Sequence, residues 1–264
     1  MEALLDLIDL TADGDGRYRL DVVDNYWIIG GPNGGYLAAI LAHAGDVHLA
    51  EPDRQLRSLT THYLRPPTVG PAEVTVSIEQ RGRSVAWIRL GLHQAGRPVL
   101  FATGAWANPR TGLESPRLAP PECPPPEDCH PVESVRDQPL RLHEQWEIRT
   151  PLAEYHRLSD GVPDVLWWIR PRIHGPLDGP TAVAMSDALP PPIFVTTDEP
   201  LGVPTIDLTV HLRAELASVA WEPGDWVLGR FVTRHAHGGF LDEDGAMWLQ
   251  DGTLIAASRQ LAVS

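Results

Sequence analysis

The sequence predicts an α+β protein made of two similar halves, each an antiparallel sheet wrapped around one apolar helix. Two observations predict it. The order of a Gly-rich or Gly-Pro turn, a helix and several strand-like segments occurs twice in the 264 residues, and a Pro-rich stretch separates the two copies. A chain of this length can hold two domains of ordinary size. We expect the first domain over 1–108, an extended linker over 109–145 and the second domain over 146–264.

The helix of the first half follows the Gly-rich turn GGPNGG and is predicted over roughly Gly35–Ala44. Residues 36–44 are apolar nearly all round, which is typical of a helix covered by a sheet. The strand-like segments that follow are LRSLTTHYLR, AEVTVSIEQ, SVAWIRLGLHQ and RPVLFATGAWA. Since 57–106 shows no helical period, it lacks the crossover helix that a parallel α/β sheet needs.

The second half repeats this order. The turn Gly179-Pro180 opens a helix through TAVAMSDAL, and the strand-like segments IDLTVHLR, DWVLGRFVTRH, GAMWLQ and TLIAASRQLAV follow. LTVHLR echoes LTTHYLR of the first half, and LQDGTLIAASRQLA echoes HQAGRPVLFATGAW. Two echoes in the same order indicate a duplication. They place Gln260 at the position that Gly104 has in the first half.

Composition excludes several classes of protein. The formal charge of −14 argues against a general nucleic-acid binder, which needs a basic face. All 21 basic residues are Arg, so neither a lysine Schiff base nor a P-loop lysine is available. The acidic N-terminus lacks the features of a signal peptide, and no apolar run is long enough to cross a bilayer. We therefore expect a cytoplasmic protein without a nucleic-acid or membrane partner.

Both cysteines, Cys123 and Cys129, lie in the Pro-rich stretch PECPPPEDCH. A structural zinc site needs four ligands, and only His130 is adjacent to them. We expect two free thiols and no metal site. A local disulfide is the alternative that the spacing leaves open.

Five segments, spread in order over both halves, resemble one known family. GGPNGGYLAAIL, HYLRPP, SDALPP, PTIDLTVHLR and DGTLIAASRQLA are similar to segments of the double-hotdog acyl-CoA thioesterases, the TesB-like group. The resemblance weakens in the linker. It implies a double-hotdog fold, in which the two helix-wrapped sheets form a pseudo-dimer, and hydrolysis of an acyl-CoA thioester without metal or organic cofactor. A homo-oligomer formed by pairing of sheet edges is also expected.

The resemblance implies a catalytic triad of Asp, Thr and Gln in the second half. These residues match Asp187 in SDALPP, Thr205 in PTIDLTVHLR and Gln260 in SRQLAV. Between the TID sequence and the closing arginine this chain is one residue shorter than the family pattern, which leaves Thr209 as the alternative threonine. Because Gly104 takes the place of Gln260 in the first half, we expect one active site.

The chemistry agrees with this assignment. A thioester has a readily leaving thiolate, so a positioned water with Asp187 as general base is sufficient. Backbone amides at Gly34 and Gly35, where the first helix begins, are candidate donors to the oxyanion. Arg65 and the pair Arg81 and Arg83 are candidates for the phosphates of CoA, since Arg suits bidentate phosphate contacts.

Two other functions remain open from the sequence. A hydratase or dehydratase of the same fold pairs its Asp with a nearby His, whereas Asp187 is followed by Ala-Leu-Pro-Pro-Pro. A protein that binds acyl thioesters without turnover is the non-enzyme alternative, and it would show binding without release of thiol.

Overall fold

The computed structural model describes residues 3–113, 115, 118–133, 140–152, 161–196 and 202–264. Within these ranges the chain forms a largely antiparallel sheet with few helices. In the first half the elements are β1 Thr11–Ala12, β2 Arg17–Val22, β3 Trp27–Ile28, β4 Gly31–Pro32, α1 Gly34–Leu49, β5 Gln55–Tyr63, β6 Gly70–Arg81, β7 Val85–Gln94 and β8 Arg97–Ala107. They are followed by β9 His130–Pro131, α2 Leu142–Gln145, β10 Trp146–Thr150, β11 Asp164–Pro171, α3 Gly179–Met185, β12 Thr205–Leu212, β13 Val227–Val232, β14 Ala236–His237, β15 Phe240–Leu249 and β16 Leu254–Val263.

The strands of the main sheet run in the order β1-β2-β6-β7-β8-β5-β12-β16-β15-β13-β11-β10-β9, and β14 pairs with β15. All pairs for which a register is defined are antiparallel, as the sequence predicts. The two predicted hairpins turn at Gly96 and Gly252, with φ of 71° and 84°, a backbone conformation that favours glycine. One face of the sheet covers α1 and α3, and most of the buried apolar side chains lie between them.

The two halves meet where β5 pairs with β12 in the middle of the sheet. Thr60 lies opposite Thr209, Leu59 opposite Val210 and Thr61 opposite Leu208. This register is symmetric about the Thr60–Thr209 pair, whose hydroxyl oxygens are 3.0 Å apart. Exchanging the two strands therefore leaves the pairing unchanged, as at an interface between identical subunits. The observed register fits the duplication inferred from the echoed segments.

The helices differ from their predicted bounds. The α1 helix continues to Leu49, because Ala50 closes it in the left-handed conformation, with φ of 51°. The α3 helix ends earlier, at Met185, and the Ser186 hydroxyl donates back to Val183 O at 2.7 Å. Asp187 therefore lies just beyond α3, not on it. The two helices approach closely at Gly35, where a Cβ atom would be 2.6 Å from Ala184 O.

Much of the predicted linker packs against the sheet, which corrects the expectation of an extended connector. The indole N–H of Trp168 donates to Pro124 O at 2.8 Å, and that of Trp248 donates to Leu118 O at 2.9 Å. Cys129 is buried on this outer face beside Trp168, and both cysteines are free thiols. The short elements β9 and α2 also lie within 109–145. The proline-rich backbone offers carbonyls that accept these bonds, and the two tryptophans that supply the donors are buried. The division into domains stays a prediction.

The described residues were also compared with the features of membrane spans and of metal sites. None of the helices found there is long and apolar enough to span a bilayer. In the same part of the chain, no group of three or more His, Cys, Asp or Glu side chains has an arrangement suited to a metal ion.

Candidate active site

The Asp187 carboxylate, from the second half, is held by the start of α1 in the first half. Its Oδ2 accepts hydrogen bonds from the Gly35 amide at 2.8 Å and from Asn33 Nδ2 at 3.1 Å. Asn33 Nδ2 also donates to the Asp187 main-chain oxygen at 2.7 Å, while Asn33 Oδ1 caps α1 by accepting from Tyr36 N. The positive end of the α1 dipole faces the same carboxylate. Both halves therefore contribute to the position of this group.

Burial raises the pKa of Asp187 to about 6, against the opposing effect of the donors Gly35, Asn33 and Gly34. A carboxyl group with a pKa close to neutrality is ionised at pH 7 and still basic enough to accept a proton from water. Of the two amides predicted as oxyanion donors, that of Gly35 donates to this carboxylate, and that of Gly34 also acts to lower its pKa. The observed contact of Gly35 is thus with Asp187. The donors to the oxyanion stay a prediction.

Tyr63, at the end of β5, fixes the first turn of α1 from the other side. Its hydroxyl donates to Gly34 O at 2.8 Å. Burial of the hydroxyl and the nearby charge of Asp187 raise the pKa of Tyr63 well above its usual range, so the hydroxyl keeps its proton. The sequence analysis did not single out this residue. The signal available was its position two residues before Arg65 in HYLRPP.

Thr205 and Gln260 are brought together by a β-bulge. The Thr205 hydroxyl donates to Gln260 Oε1 at 3.0 Å. In a regular strand Thr205, Asp207 and Thr209 would share one face. The register of β12 against β16 shifts between Thr205 and Asp207, and this shift turns Thr205 to the face that carries Gln260.

The same bulge separates the two candidate threonines. Thr209 lies on the opposite face of β12, where its hydroxyl pairs with Thr60. Gln260 is buried on the helix-covered face, at a position where β16 alternates between buried and exposed side chains. The geometry thus favours Thr205 over Thr209 as a member of the site.

Replacing the two threonines separately tests this choice. We expect Thr205→Val to lower kcat at least tenfold, because a lost hydrogen bond of about 1.4 kcal/mol corresponds to that factor. Thr209→Val removes the same hydroxyl from the other face and should leave kcat within about twofold. The measurement is thiol release at saturating substrate. Equal losses in both variants would contradict the assignment.

Glu243 is a fourth polar group on this face, and the sequence analysis missed it. It lies opposite Gln260 in the pairing of β15 with β16, and its side chain is 5% exposed. Burial, together with the charges of Asp187 and Asp244, raises the pKa of Glu243 well above its usual range, against the opposing effect of hydrogen bonding by Gln260. The sequence predicts a strand only in GAMWLQ, from Gly245, whereas β15 begins at Phe240. The positions 241, 243 and 245 are buried along the observed strand, and this register places Glu243 inward.

The arginines predicted to bind phosphate separate into two groups. Arg65 is exposed two residues after Tyr63, and the described residues hold no acidic partner for it. Arg83 lies in the turn between β6 and β7, beside Arg54, at the end of the sheet where β5 begins. Since β5 has nine residues and spans roughly 27 Å, the structure does not bring Arg83 to the Tyr63 end, where Asp187 lies. Arg81, beside it, pairs with Glu51 at 3.0 Å.

The first half has apolar counterparts of the two paired side chains. Register places Ile88 and Gly104 opposite each other, as Glu243 and Gln260 are in the second half. The space beside Gly104 is filled by Trp106, whose Cζ3 would be 2.4 Å from an added Cβ. Among the described residues, the second half thus has the polar pair Glu243–Gln260 where the first half has the apolar pair Ile88–Gly104. That only the second half is active stays a prediction.

Known structures share this architecture. A conserved protein with a hotdog fold from Alicyclobacillus acidocaldarius matches with a TM-score of 0.89 and 25% identity, over 100% of this chain and 98% of that one. A candidate thioesterase II from Thermobifida fusca matches with a TM-score of 0.82 and 29% identity, over 98% and 96%. An uncharacterized protein of Mycobacterium tuberculosis is 27% identical over 91% of this chain and 89% of its own length.

Family models cover most of the sequence. The acyl-CoA thioesterase N-terminal domain matches residues 23–107, and the acyl-CoA thioesterase C-terminal domain matches residues 126–264. The second match includes Asp187, Thr205, Glu243 and Gln260, and the first includes Asn33, Gly34 and Gly35. The hotdog fold, the matched domains and their order agree with the resemblance stated from the sequence, and the chain belongs to the acyl-CoA thioesterase family.

Proposed function

We propose that this protein hydrolyses acyl-CoA thioesters to a carboxylic acid and CoA, at one site formed by Asp187, Thr205 and Gln260. The observation that carries the proposal is the half-buried Asp187 carboxylate, which is held at the start of α1 and whose charge acts on Glu243, the residue opposite Gln260. In a family of thioesterases, such a group is suited to activating water. We also propose that the two halves act as a double-hotdog pseudo-dimer, in the cytoplasm and within a homo-oligomer.

In the proposed reaction, a water molecule lies between Asp187 and the Thr205–Gln260 pair. Asp187 takes a proton from this water as its oxygen attacks the thioester carbon. The tetrahedral intermediate then breaks its carbon–sulfur bond, and the thiolate leaves with the proton from Asp187. Atoms and charges balance without a metal, a cofactor or a covalent enzyme intermediate.

Arg65 is the residue we assign to the CoA phosphates. Its exposed guanidinium lies close in sequence to Tyr63, which contacts the start of α1. A cation at this edge of the site would meet the anionic end of the substrate in water, and the acyl group would extend into the protein. Arg83 is left out of this assignment because of its distance along the sheet.

The pH dependence of turnover tests the base. Because Asp187 must be ionised, kcat/KM should rise with pH and level off above a pKa of about 6. The measurement is release of free thiol across a panel of acyl-CoAs from pH 5 to 8.5, followed with a disulfide reagent.

A second buried carboxyl provides the control. Burial also raises the pKa of Asp46 to about 6, and Trp106 Nε1 donates to it at 2.6 Å. Asp46→Asn should keep the fall of kcat/KM at low pH, since Asp46 lies roughly 16 Å along α1 from Gly35, which holds Asp187. If kcat/KM no longer falls at low pH in Asp46→Asn, the titrating group is not Asp187. If acyl-CoAs bind without thiol release, the protein is a binder and not a hydrolase.

A further inference from the structure

Glu243 has a free hydrogen-bonding atom inside the candidate site. One of its carboxyl oxygens, Oε2, is buried and has no hydrogen-bond partner among the described residues. The residue faces the helix-covered side of the sheet, between the buried positions of Leu241 and Gly245 on β15. Buried polar atoms are nearly always paired, so an unpaired carboxyl oxygen beside Gln260 needs an explanation.

Packing does not explain it. The first half carries Ile88 at the related position, so the fold accepts a hydrocarbon side chain there. Burying a carboxyl group with one oxygen unpaired costs free energy that an isoleucine would not cost. Residues that lower stability in this way are expected at functional sites.

We propose that Glu243 is a fourth functional side chain of the site: it holds the Gln260 amide in the orientation that accepts from Thr205, and its second oxygen is kept free for the bound thioester or water. The proposal rests on hydrolysis at this site as the proposed function. Glu243 acts through Gln260 and is in that respect a positioning residue.

The hydrogen bonds around Gln260 support the positioning role. A side-chain amide can turn its oxygen and nitrogen in either direction, and its neighbours decide which is used. Thr205 donates to Gln260 Oε1 at 3.0 Å, and Glu243 lies directly opposite Gln260 in the β15–β16 pairing. A donor at the amide oxygen and a carboxyl group on the facing strand favour one orientation of the amide. Removing Glu243 leaves the nitrogen end without its acceptor.

The charges around Glu243 support the role of its second oxygen. The titratable groups that act on it are Asp187, beyond α3, and Asp244, on its own strand, and both favour the neutral carboxyl. Tyr63, which also faces Asp187, is held in its neutral form. These neighbouring charges therefore act in the same direction as burial and favour the protonated form of Glu243. A protonated carboxyl is a donor, which suits a carbonyl or water oxygen.

Two substitutions at Glu243 and one control test the proposal. Glu243→Gln keeps an oxygen that can accept from Gln260 and puts an NH2 donor in the place of the second carboxyl oxygen. Glu243→Leu keeps neither group. Ile88→Leu is the matched control, a buried exchange at the related position of the first half. For each variant, kcat and KM are measured by thiol release from pH 5 to 8.5, and Tm is measured by calorimetry.

We expect Glu243→Gln to stay within about threefold of wild type and Glu243→Leu to lose at least about tenfold in kcat, with a Tm equal to or above wild type. Ile88→Leu should keep kcat. Unchanged kcat in Glu243→Leu would overturn the proposal, as would a loss accompanied by a lower Tm, which a structural role would produce. Equal losses in both Glu243 variants would also overturn it, because the neutral amide should substitute for the neutral carboxyl.

Failure of the proposed function gives a separate outcome. If wild type releases no thiol from any acyl-CoA, hydrolysis is refuted, and calorimetric binding of a thioether analogue of acyl-CoA then decides the role of Glu243. Weaker binding by Glu243→Leu than by Glu243→Gln supports its contact with the ligand. Equal binding by both variants and wild type overturns it.

Discussion

Asp187→Asn is expected to lower kcat by about 10²–10⁴-fold while the protein stays folded. The substitution removes the carboxylate to which we assign the role of general base, and whose pKa of about 6 leaves it ionised at neutral pH. Loss of a positioned general base has this typical effect on rate. Gln260→Ala should also reduce kcat, since it removes the partner of Thr205. Thiol release by the purified variants gives both values.

The same Asp187→Asn substitution should not lower the free energy of unfolding. The folded protein holds Asp187 with a raised pKa, so its stabilising contribution is complete below the ordinary pKa near 4 and is lost as pH rises through about 6. The cost of ionisation above pH 6 is on the order of 3 kcal/mol. Asp187→Asn avoids this cost, and urea unfolding at pH 8 should show a stability no lower than that of wild type. A strongly destabilised variant would mean that the rate loss reflects unfolding.

Gly35→Ala should lower both stability and activity. Intrinsic helix propensity alone would favour alanine by about 1 kcal/mol. The added Cβ, however, would lie 2.6 Å from Ala184 O and 2.9 Å from Asp187 Cβ, and both contacts are with atoms that cannot turn away. Overpacking of this kind costs about 1–3 kcal/mol, and a displacement of the base by 1 Å can cost about 10²-fold in rate. Tm and kcat are the two measurements.

Gly30→Ala is the matched control for that substitution. Gly30 lies in the same Gly-rich turn, and a Cβ added there would meet nothing within 4 Å. Its Tm and kcat should remain close to those of wild type. If Gly30→Ala and Gly35→Ala have equal effects, the flexibility of the turn matters and the close approach of α1 to α3 does not.

The sequence predicted the features that depend on local pattern or duplication. The alternation of apolar residues and the glycine turns predicted the β7–β8 and β15–β16 hairpins, and the echoed segments predicted that the two halves correspond. Gln260 could be matched to its counterpart Gly104 in the first half, because both follow the glycine of a hairpin turn by the same number of residues. These features need no knowledge of contacts between distant segments.

Other features arise only from contacts between distant parts of the chain. The bulge that turns Thr205 toward Gln260 depends on the register between β12 and β16. The hydrogen bonds from Asn33 and Gly35 to Asp187 join residues more than 150 positions apart. Glu243 follows the same rule, since nothing in an acidic run indicates which carboxyl group faces inward. The packing of the Pro-rich segment was missed because its partners, Trp168 and Trp248, are distant in sequence.

The hydrogen bonds between the start of α1 and Asp187 have an evolutionary consequence. When a gene for a self-associating unit is duplicated and fused, each copy becomes free to change alone. Here one copy bears the Asp187 carboxyl and the other supplies Asn33 and Gly35, which hold it. With Asp187 as the base that we propose, selection on catalysis would act on both copies. Loss of chemistry from the first half would not release it from constraint, because the first half became the support of the second.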